Sequence, residues 1–197
     1  MADDLNVKNR ILDGTRELFF KYGYSRITMD DVASSIGISK KTLYKYFRSK
    51  EDLIREAILN LMQEVMLNIT EIIHNTETEY LERLKQFMMF FGNFTAKISI
   101  QPLQDLQREV PHIYSEFESA REKFILANFR DFFQEGVQKG LIRNDINQEI
   151  ILLIFINIVQ AVINPKVLSE MPFTVKDAFD AIIKVIYNGI LTTDQKI

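Results

Sequence analysis

The sequence predicts an all-α protein, and three features of the chain support this fold class. Apolar residues recur at three- and four-residue intervals along most of its 197 residues, which is the period of an amphipathic helix. Residues that cap helix starts (serine, threonine, aspartate) precede several of these stretches, and glycine or proline separates them. The C-terminal part shows no alternation of apolar and polar residues that would indicate strands. The chain is therefore expected to consist of helices joined by turns.

The composition fits a compact, water-soluble protein. Hydrophobic residues make up 47% of the chain, and no stretch approaches the roughly 18 apolar residues of a membrane span. The N-terminus has no signal-peptide pattern. With no cysteine and only two histidines, the chain cannot form disulfides, thiolate metal sites or histidine-rich metal sites. We therefore expect a cytoplasmic protein that has no metal site, no cofactor and no membrane contact.

The first predicted helix contains an apolar stripe from Val7 to Tyr22 and ends at Gly23. A second, shorter helix begins after Thr28, which is a favourable capping residue, and has Asp31 in its first turn. Gly37 follows this helix and can adopt the positive φ that a sharp turn needs.

After Gly37, Ser39 is expected to cap a third helix, in which Leu43 and Phe47 lie four residues apart on one face. Ser49 is expected to cap the next helix. Two short helices joined by a tight turn, the second of them basic, are typical of a helix-turn-helix DNA-binding unit.

The charge of the chain is unevenly distributed. The whole chain carries a net charge of −3, but residues 1–55 contain eleven Lys/Arg against eight Asp/Glu. Between Lys40 and Lys50 there are five basic residues and no acid. Contacts to phosphate are local, so a basic helix on an acidic protein can bind DNA. A short basic run is otherwise typical of a solvated helix face, and here the turn and the caps favour DNA.

The segment from Ile11 to Leu53 resembles the N-terminal domain of the TetR/AcrR family of bacterial regulators. This resemblance covers about the first quarter of the chain. The strings that carry this resemblance are ILDGTRELFFKYGYSRIT and GISKKTLYKYFRSKEDL. Two positions depart from the family pattern: Gly14 stands where alanine is more frequent, and Lys41 where a small residue is common. The resemblance implies an all-helical homodimer, usually a repressor, with a variable C-terminal domain that binds a small effector.

The predicted DNA contacts lie on and around the basic helix. Residues on its leading, exposed part are predicted to contact base edges, because lysine can donate to guanine and a tyrosine ring can contact a thymine methyl group. Family members place comparable contacts at matching positions, although Tyr44 and Tyr46 could instead be packing residues. The predicted base contacts are Lys40, Lys41 and Tyr44, and the predicted phosphate contacts are Thr28, Ser39, Thr42, Lys45, Tyr46 and Lys50.

Downstream, a long helix from Ser49 to about His74 is predicted to connect the DNA-binding unit to the rest. We place the helix-turn-helix domain at residues 1–50 and a helical effector-binding and dimerisation domain at residues 51–197. A break at Asn164-Pro165 is followed by the segment KVLSEMP. The remaining predicted helices are Glu79 to Ile98, Pro102 to Arg108, Pro111 to Gln138, Asp145 to about Ile163, and Thr174 to Leu191.

The last two helices are apolar on more than one face, which indicates burial from two directions. A second subunit could cover one face, or both helices could be wholly internal. The family resemblance favours a dimer in which these helices form a four-helix bundle with their counterparts. Two recognition helices about one DNA turn apart, roughly 34–36 Å, would then read a pseudo-palindromic operator. The predicted interface residues are Phe155, Val159, Phe179, Ile182, Ile183 and Ile186.

The middle helices supply aromatic residues that could line a pocket for a small, mainly apolar effector. Most of these side chains could equally be ordinary core, and the polar ones could hydrogen-bond across the dimer. The predicted ligand contacts are Phe87, Phe91, Phe94, Phe117, Phe124, Asn128, Asn157 and Gln160.

Other functional classes have less support in the sequence. It contains no recognisable catalytic constellation, so an enzyme is not expected. An activator, or a regulator without an effector, would have the same sequence features as a ligand-released repressor. A helical partner-binding protein without a DNA function would have little reason to carry the basic run from Lys40 to Lys50.

Overall fold

The computed structural model of the protein describes residues 2–95 and 100–191. Within these residues the chain forms ten α-helices and no strand, apart from a single antiparallel bridge between Ile142 and Leu191. This confirms the predicted all-α class. The helices are α1 (Ala2–Tyr22), α2 (Met29–Ile36), α3 (Lys40–Tyr46), α4 (Lys50–His74), α5 (Tyr80–Thr95), α6 (Ile100–Glu109), α7 (Pro111–Gln138), α8 (Gln148–Val162), α9 (Pro165–Glu170) and α10 (Val175–Ile190).

The helix starts predicted around the turn are confirmed. The Asp31 backbone N–H donates to Thr28 Oγ1 (3.2 Å), and the Thr28 N–H donates back to the Asp31 carboxylate (2.8 Å), which forms a complete capping box. Ser39 Oγ accepts from the backbone N–H of Thr42, and Ser49 Oγ accepts from that of Asp52. Each cap satisfies a backbone N–H that has no partner within its own helix.

Two helix starts in the C-terminal part differ from the prediction, and one short helix was not predicted. Helix α6 begins at Ile100, and Pro102 lies within its first turn, where a missing N–H costs no helical hydrogen bond. Helix α8 is capped by Asn147, because Asp145 instead accepts hydrogen bonds from Arg143. The segment KVLSEMP contributes to the six-residue helix α9, which begins at Pro165. The end of the predicted helix Glu79 to Ile98 lies outside the described residues.

The chain divides into two compact units that alternate along the sequence. Unit 1 contains Met1–Val65 and Gln101–Phe117, and unit 2 contains Met66–Ile100 and Glu118–Ile197. Unit 1 extends beyond the predicted division at residue 50, because the first half of α4 packs its buried face against the N-terminal helices. The assignment of separate functions to residues 1–50 and 51–197 stays a prediction.

Unit 1 has two neighbouring groups of core residues. In the first, side chains of α1, α2, α3 and α4 meet, including Ile11, Val32, Leu43 and Leu53. In the second, α6 and the start of α7 join α1 and α4 through Phe19, Ile27, Ile54, Ile58, Leu106, Val110 and Ile113. Residues distant in sequence therefore complete the core beside the helix-turn-helix.

The interior of unit 2 is aromatic and contains a buried arginine. Tyr80 stacks on Phe132 with ring centroids 4.6 Å apart. The guanidinium of Arg83 lies over both of these rings, donates to the Ile73 carbonyl (2.5 Å), and pairs with Glu135. Burial of Arg83 without such partners would carry a large desolvation cost, so its contacts fix the relative positions of the helices around it.

Gly136, in α7, is predicted to tolerate no side chain. A Cβ atom there would lie 2.5 Å from the Tyr80 hydroxyl oxygen and 2.8 Å from Ile142 Cδ1. Tyr80 is fully buried and cannot move aside. Although alanine favours helices, Gly136→Ala should lower the free energy of unfolding by about 1–3 kcal/mol. Urea unfolding followed by circular dichroism, at one fixed protein concentration, measures this change.

Gly92 provides the matched control, because it is also buried within a helix. Among the side chains that the structure describes, a Cβ atom at Gly92 would meet only Asp180 Oδ1, at an ordinary 3.5 Å. Gly92→Ala should therefore raise the free energy of unfolding by up to about 1 kcal/mol through helix propensity. A Gly136→Ala protein as stable as the Gly92→Ala protein would contradict the proposed overlap with Tyr80.

Candidate nucleic-acid interface and apolar cavity

The orientation of α3 is determined by two side chains. Leu43 and Phe47 are both completely buried among the side chains of α1, α2 and α4. Leu43 lies within α3, and Phe47, four residues later, is its C-cap residue, so both point from one side of the helix into the core. The opposite side of α3 is consequently directed to solvent.

The turn between α2 and α3 depends on Gly37, whose φ of +74° lies in the left-handed region. The Gly37 N–H donates to the Ser34 carbonyl (3.2 Å), and the Ile38 N–H donates to the Ala33 carbonyl (3.0 Å). These bonds satisfy carbonyls at the end of α2 and redirect the chain within a few residues. The predicted role of this glycine is confirmed.

The solvent side of α3 is basic. Its exposed residues recur at a spacing that places them on one face of the helix. Tyr44 lies among them, with 46% of its surface accessible. The exposed residues of α3 are Lys40, Lys41, Tyr44 and Lys45, and Arg48 is exposed just after its end.

Two carboxylates pair with part of this basic face. Lys40 Nζ lies 2.8 Å from an Asp30 oxygen, and the hydrogen bond and charge of Asp30 raise the lysine pKa. On the other side, the Tyr46 hydroxyl donates to the Asp4 carboxylate (2.6 Å), and Lys45 Nζ lies 3.7 Å from the same carboxylate. Both partners lower the pKa of Asp4, the Tyr46 hydrogen bond more than the lysine charge.

Other residues that were predicted to contact DNA instead form hydrogen bonds within the helix-turn-helix and the loop before α2. Lys50 is half-buried, and its ammonium group donates to the carbonyls of Tyr24 (3.0 Å) and Ile27 (3.1 Å), which engages two of its three hydrogens. The same group lies 4.1 Å from the centre of the Tyr24 ring. The hydroxyls of Thr28 and Ser39 serve as caps, and Thr42 Oγ1 lies 2.8 Å from Ser39 Oγ.

Three charged residues beside this face were missed in the sequence. Arg48 belongs to the basic run but was not assigned a contact, and it is exposed at the turn between α3 and α4. Asp4 and Asp30 lie 42 and 10 residues from their partners Tyr46 and Lys40. Only the packing of α1 and α2 beside α3 brings them close, so no local pattern could have revealed them.

Unit 2 contains an apolar cavity of about 30 Å³. This volume suffices for about two water molecules and is far below the several hundred Å³ of typical ligand pockets. Phe87, Phe129 and Phe155 are in contact around it, with ring centroids of Phe129 5.0 Å and 5.9 Å from the other two. The lining residues are Leu84, Phe87, Phe129, Phe133, Phe155, Ile183, Ile186, Tyr187 and Ile190.

Of the eight predicted ligand contacts, the described residues place Phe87 at this cavity. Phe117 belongs to unit 1 and packs against its core. The Asn128 amide donates to the Phe124 carbonyl, and the Asn157 amide donates to the Leu153 carbonyl. Gln160 lies 3.3 Å from Glu122, Phe94 and Phe124 are half-buried, and the side chain of Phe91 lies outside the described part.

The predicted interface residues of α8 and α10 are mostly buried within their own unit. Phe155, Val159, Phe179, Ile182 and Ile183 each expose less than a tenth of their surface, and Ile186 is half-buried. A different face of α8 is exposed and largely apolar. It contains Ile150, Leu153, Ile154, Asn157, Ile158 and Ala161, of which only Ile158 is half-buried.

No helix in the described ranges combines the length and apolar character that crossing a membrane requires. Residues 2–95 and 100–191 also contain no group of three or more histidine, cysteine or acidic residues arranged to hold a metal ion.

Residues 11–57 match the family of bacterial regulatory proteins called the tetR family. The match covers α2, α3 and the turn between them, together with parts of α1 and α4. It thus contains the basic helix and the buried residues that orient it.

Curated relatives are also transcriptional regulators. The chain is 27% identical to the uncharacterized HTH-type transcriptional regulator YvaF of Bacillus subtilis over 95% of its own length and 96% of that protein. It is 31% identical to IcaR of Staphylococcus aureus, a negative transcriptional regulator of the biofilm operon icaADBC, over 43% of this chain and 45% of that one.

Solved structures share the fold of the chain. A TetR-family regulator from Agrobacterium tumefaciens has a TM-score of 0.70 at 19% identity and covers 94% of this chain and 97% of its own. FadR of Bacillus subtilis, determined in complex with stearoyl-CoA, has a TM-score of 0.64 at 16% identity, with coverage of 92% and 98%. Residues 11–57 thus form a helix-turn-helix that matches the tetR family of bacterial regulatory proteins, and the chain as a whole shares the fold of solved TetR-family regulators.

Proposed function

We propose that the protein is a cytoplasmic homodimeric repressor, which a small, mainly apolar ligand releases from a pseudo-palindromic operator. The observation that carries the DNA-binding part is the orientation of α3, whose buried Leu43 and Phe47 direct a basic face to solvent. Repression is supported by the relative IcaR, which is named a negative regulator.

In this proposal, the leading part of α3 enters the major groove. Lys40, Lys41 and Tyr44 contact base edges, while Lys45 and Tyr46 contact phosphates that set the position of the helix. Lys50 contributes mainly by holding the loop before α2, because its ammonium group is bonded to two carbonyls there.

The decisive experiment selects bound sequences from a random duplex library and then titrates the best sequence with salt. An inverted repeat whose affinity falls steeply with salt concentration is the expected result, because phosphate contacts release counterions. A folded dimer that enriches no sequence, with or without candidate ligands, would contradict the proposal.

Two exposed aromatic residues test the contact assignment. Tyr44→Ala should weaken binding to the selected operator by about 1–2 kcal/mol, roughly ten-fold, and leave the fold intact because the side chain is half exposed. Tyr22→Ala is the control, since Tyr22 has a similar exposure of 45% but lies at the end of α1. Fluorescence anisotropy with labelled operator measures both affinities. Equal operator affinities of the Tyr44→Ala and Tyr22→Ala proteins would contradict a DNA contact of Tyr44.

For the dimer, we propose that α8 and α10 of each subunit form a four-helix bundle with their counterparts. The apolar stripe of α8 supports this, because Ile150, Leu153 and Ile154 are exposed in the single chain and recur at helical spacing. Residues such as Ile183 then support the interface from inside their own subunit.

An aspartate on this stripe should separate the subunits. Leu153, with 54% of its surface exposed, can carry a charge in the monomer but not inside a dimer interface. Leu153→Asp should therefore yield a folded monomer with greatly reduced operator affinity. Leu67→Asp, at a 63% exposed leucine of α4, should remain dimeric. Sedimentation velocity measures both; a dimeric Leu153→Asp protein would place the interface elsewhere.

For the effector, we propose the apolar cavity of unit 2 as the binding region. Its volume is too small for a drug-sized molecule, so a ligand must bind a state in which the surrounding helices have moved apart. Such a ligand binds the two states with different affinity, which is the requirement for shifting their equilibrium. Helix α4 belongs to both units and is the proposed link to the DNA-binding helices. The stearoyl-CoA bound to FadR, a protein of the same fold, also has a long apolar chain.

Filling the cavity should prevent induction. Ile186 lines the cavity, and the larger ring of Ile186→Phe should occupy it. We expect this variant to bind operator normally but to remain bound when fatty acids or aromatic compounds release the wild type. Met89→Phe, at an exposed position of α5, should respond like the wild type. Anisotropy of the operator complex during ligand titration measures release, and normal release of Ile186→Phe would place the site elsewhere.

An activator, an effector-independent regulator and a protein without a DNA function remain the alternatives. Transcription in vitro from a promoter containing the selected site separates the first from a repressor. Unresponsiveness of the complex to every ligand tested would favour the second, and failure to enrich any sequence would favour the third.

A further inference from the structure

Asp4 lies at the N-terminal end of α1, 41 and 42 residues before Lys45 and Tyr46. Its carboxylate accepts a 2.6 Å hydrogen bond from the Tyr46 hydroxyl and lies 3.7 Å from Lys45 Nζ. Lys45 is exposed on the basic face of α3, and Tyr46 is half-buried beside it. One carboxylate thus engages two neighbouring groups that were both assigned to phosphate contacts.

The chemistry of this contact resembles that of a DNA phosphate. A phosphate oxygen and a carboxylate oxygen are both anionic acceptors, and each can accept from a tyrosine hydroxyl while pairing with an ammonium group. The Tyr46 hydroxyl has a single hydrogen, so it cannot donate to Asp4 and to a phosphate at the same time. The Asp4 contact must open before Tyr46 can contact DNA.

We propose that Asp4 is an internal mimic of a DNA phosphate, which occupies Tyr46 and Lys45 in the free protein and thereby lowers its affinity for the DNA backbone. This inference rests on the proposed phosphate contacts of Tyr46 and Lys45. Because backbone contacts carry no sequence information, Asp4 lowers the affinity for operator and for other DNA alike. Its effect is to limit how much of the protein is held on non-operator DNA.

A purely structural role of Asp4 predicts the opposite result. In that case the Tyr46 and Lys45 contacts would brace α3 in the orientation that DNA requires, and an acid in the first turn of α1 would favour the helix. Loss of the charge would then weaken DNA binding. The direction of the change therefore distinguishes the two roles.

The experiment measures binding of Asp4→Asn to the selected operator and to a duplex of scrambled sequence. Asparagine keeps the shape of the side chain and removes its charge. We expect both affinities to rise by roughly two- to five-fold, as for removal of an exposed ion pair, with their ratio unchanged. Glu17→Gln, which removes a charge from an exposed acid further along α1, should change both affinities less. Weaker binding of Asp4→Asn, or a gain no larger than that of Glu17→Gln, would overturn the proposal.

Removing the two partners of Asp4, Lys45 and Tyr46, tests whether Asp4 acts through them. The double variant Lys45→Gln/Tyr46→Phe should bind both duplexes more weakly, and adding Asp4→Asn to it should give little further gain. An undiminished gain would mean that Asp4 acts only through its long-range charge, which overturns the proposal. A double variant that binds DNA normally would overturn the phosphate contacts themselves, and the two failures are therefore distinguishable. Circular dichroism confirms the fold of each variant.

Discussion

The burial of Leu43 and Phe47 is the interaction on which the DNA-binding unit depends. Helix α3 has only seven residues, and isolated helices of this length are unstable in water because their nucleation is costly. Its stability must come from packing against α1, α2 and α4. The same two side chains fix which residues face solvent, so the conformation of α3 and the chemistry of its outer face have a single cause. The capping bonds of Ser39 and the left-handed Gly37 add precision to this arrangement.

Several basic side chains around α3 are already paired within the protein. Acidic residues from α1 and α2 neutralise part of the basic face, and a lysine from α4 is directed inward to backbone carbonyls. A count of basic residues therefore overstates the positive charge that the free protein presents. The charge available to a DNA backbone depends on which of these contacts open.

The sequence allowed the fold class, the helix-turn-helix and most helix ends to be predicted, because these features depend on neighbouring residues. Caps such as Thr28 and turns such as Gly37 are determined within four residues, and the helical period indicates which face is buried. The sequence did not indicate the partners of Asp4 and Lys50, which meet only after folding. It also did not show that Phe155 and Ile183 contact their own subunit, since a fully apolar helix gives no information on which face a partner covers.

The alternation of the two units along the chain has a consequence for how this protein can change in evolution. Leu106 and Ile113 complete the core beside Phe19 and Ile54. Residues 66–100, which belong to unit 2, separate these two pairs in the sequence. A recombination event that joined residues 1–65 to an unrelated domain would leave this apolar surface uncovered. Substitutions within unit 2 can change its interior and leave this surface covered, whereas exchange of a contiguous gene segment cannot. The two units have separate cores, but they are inherited together.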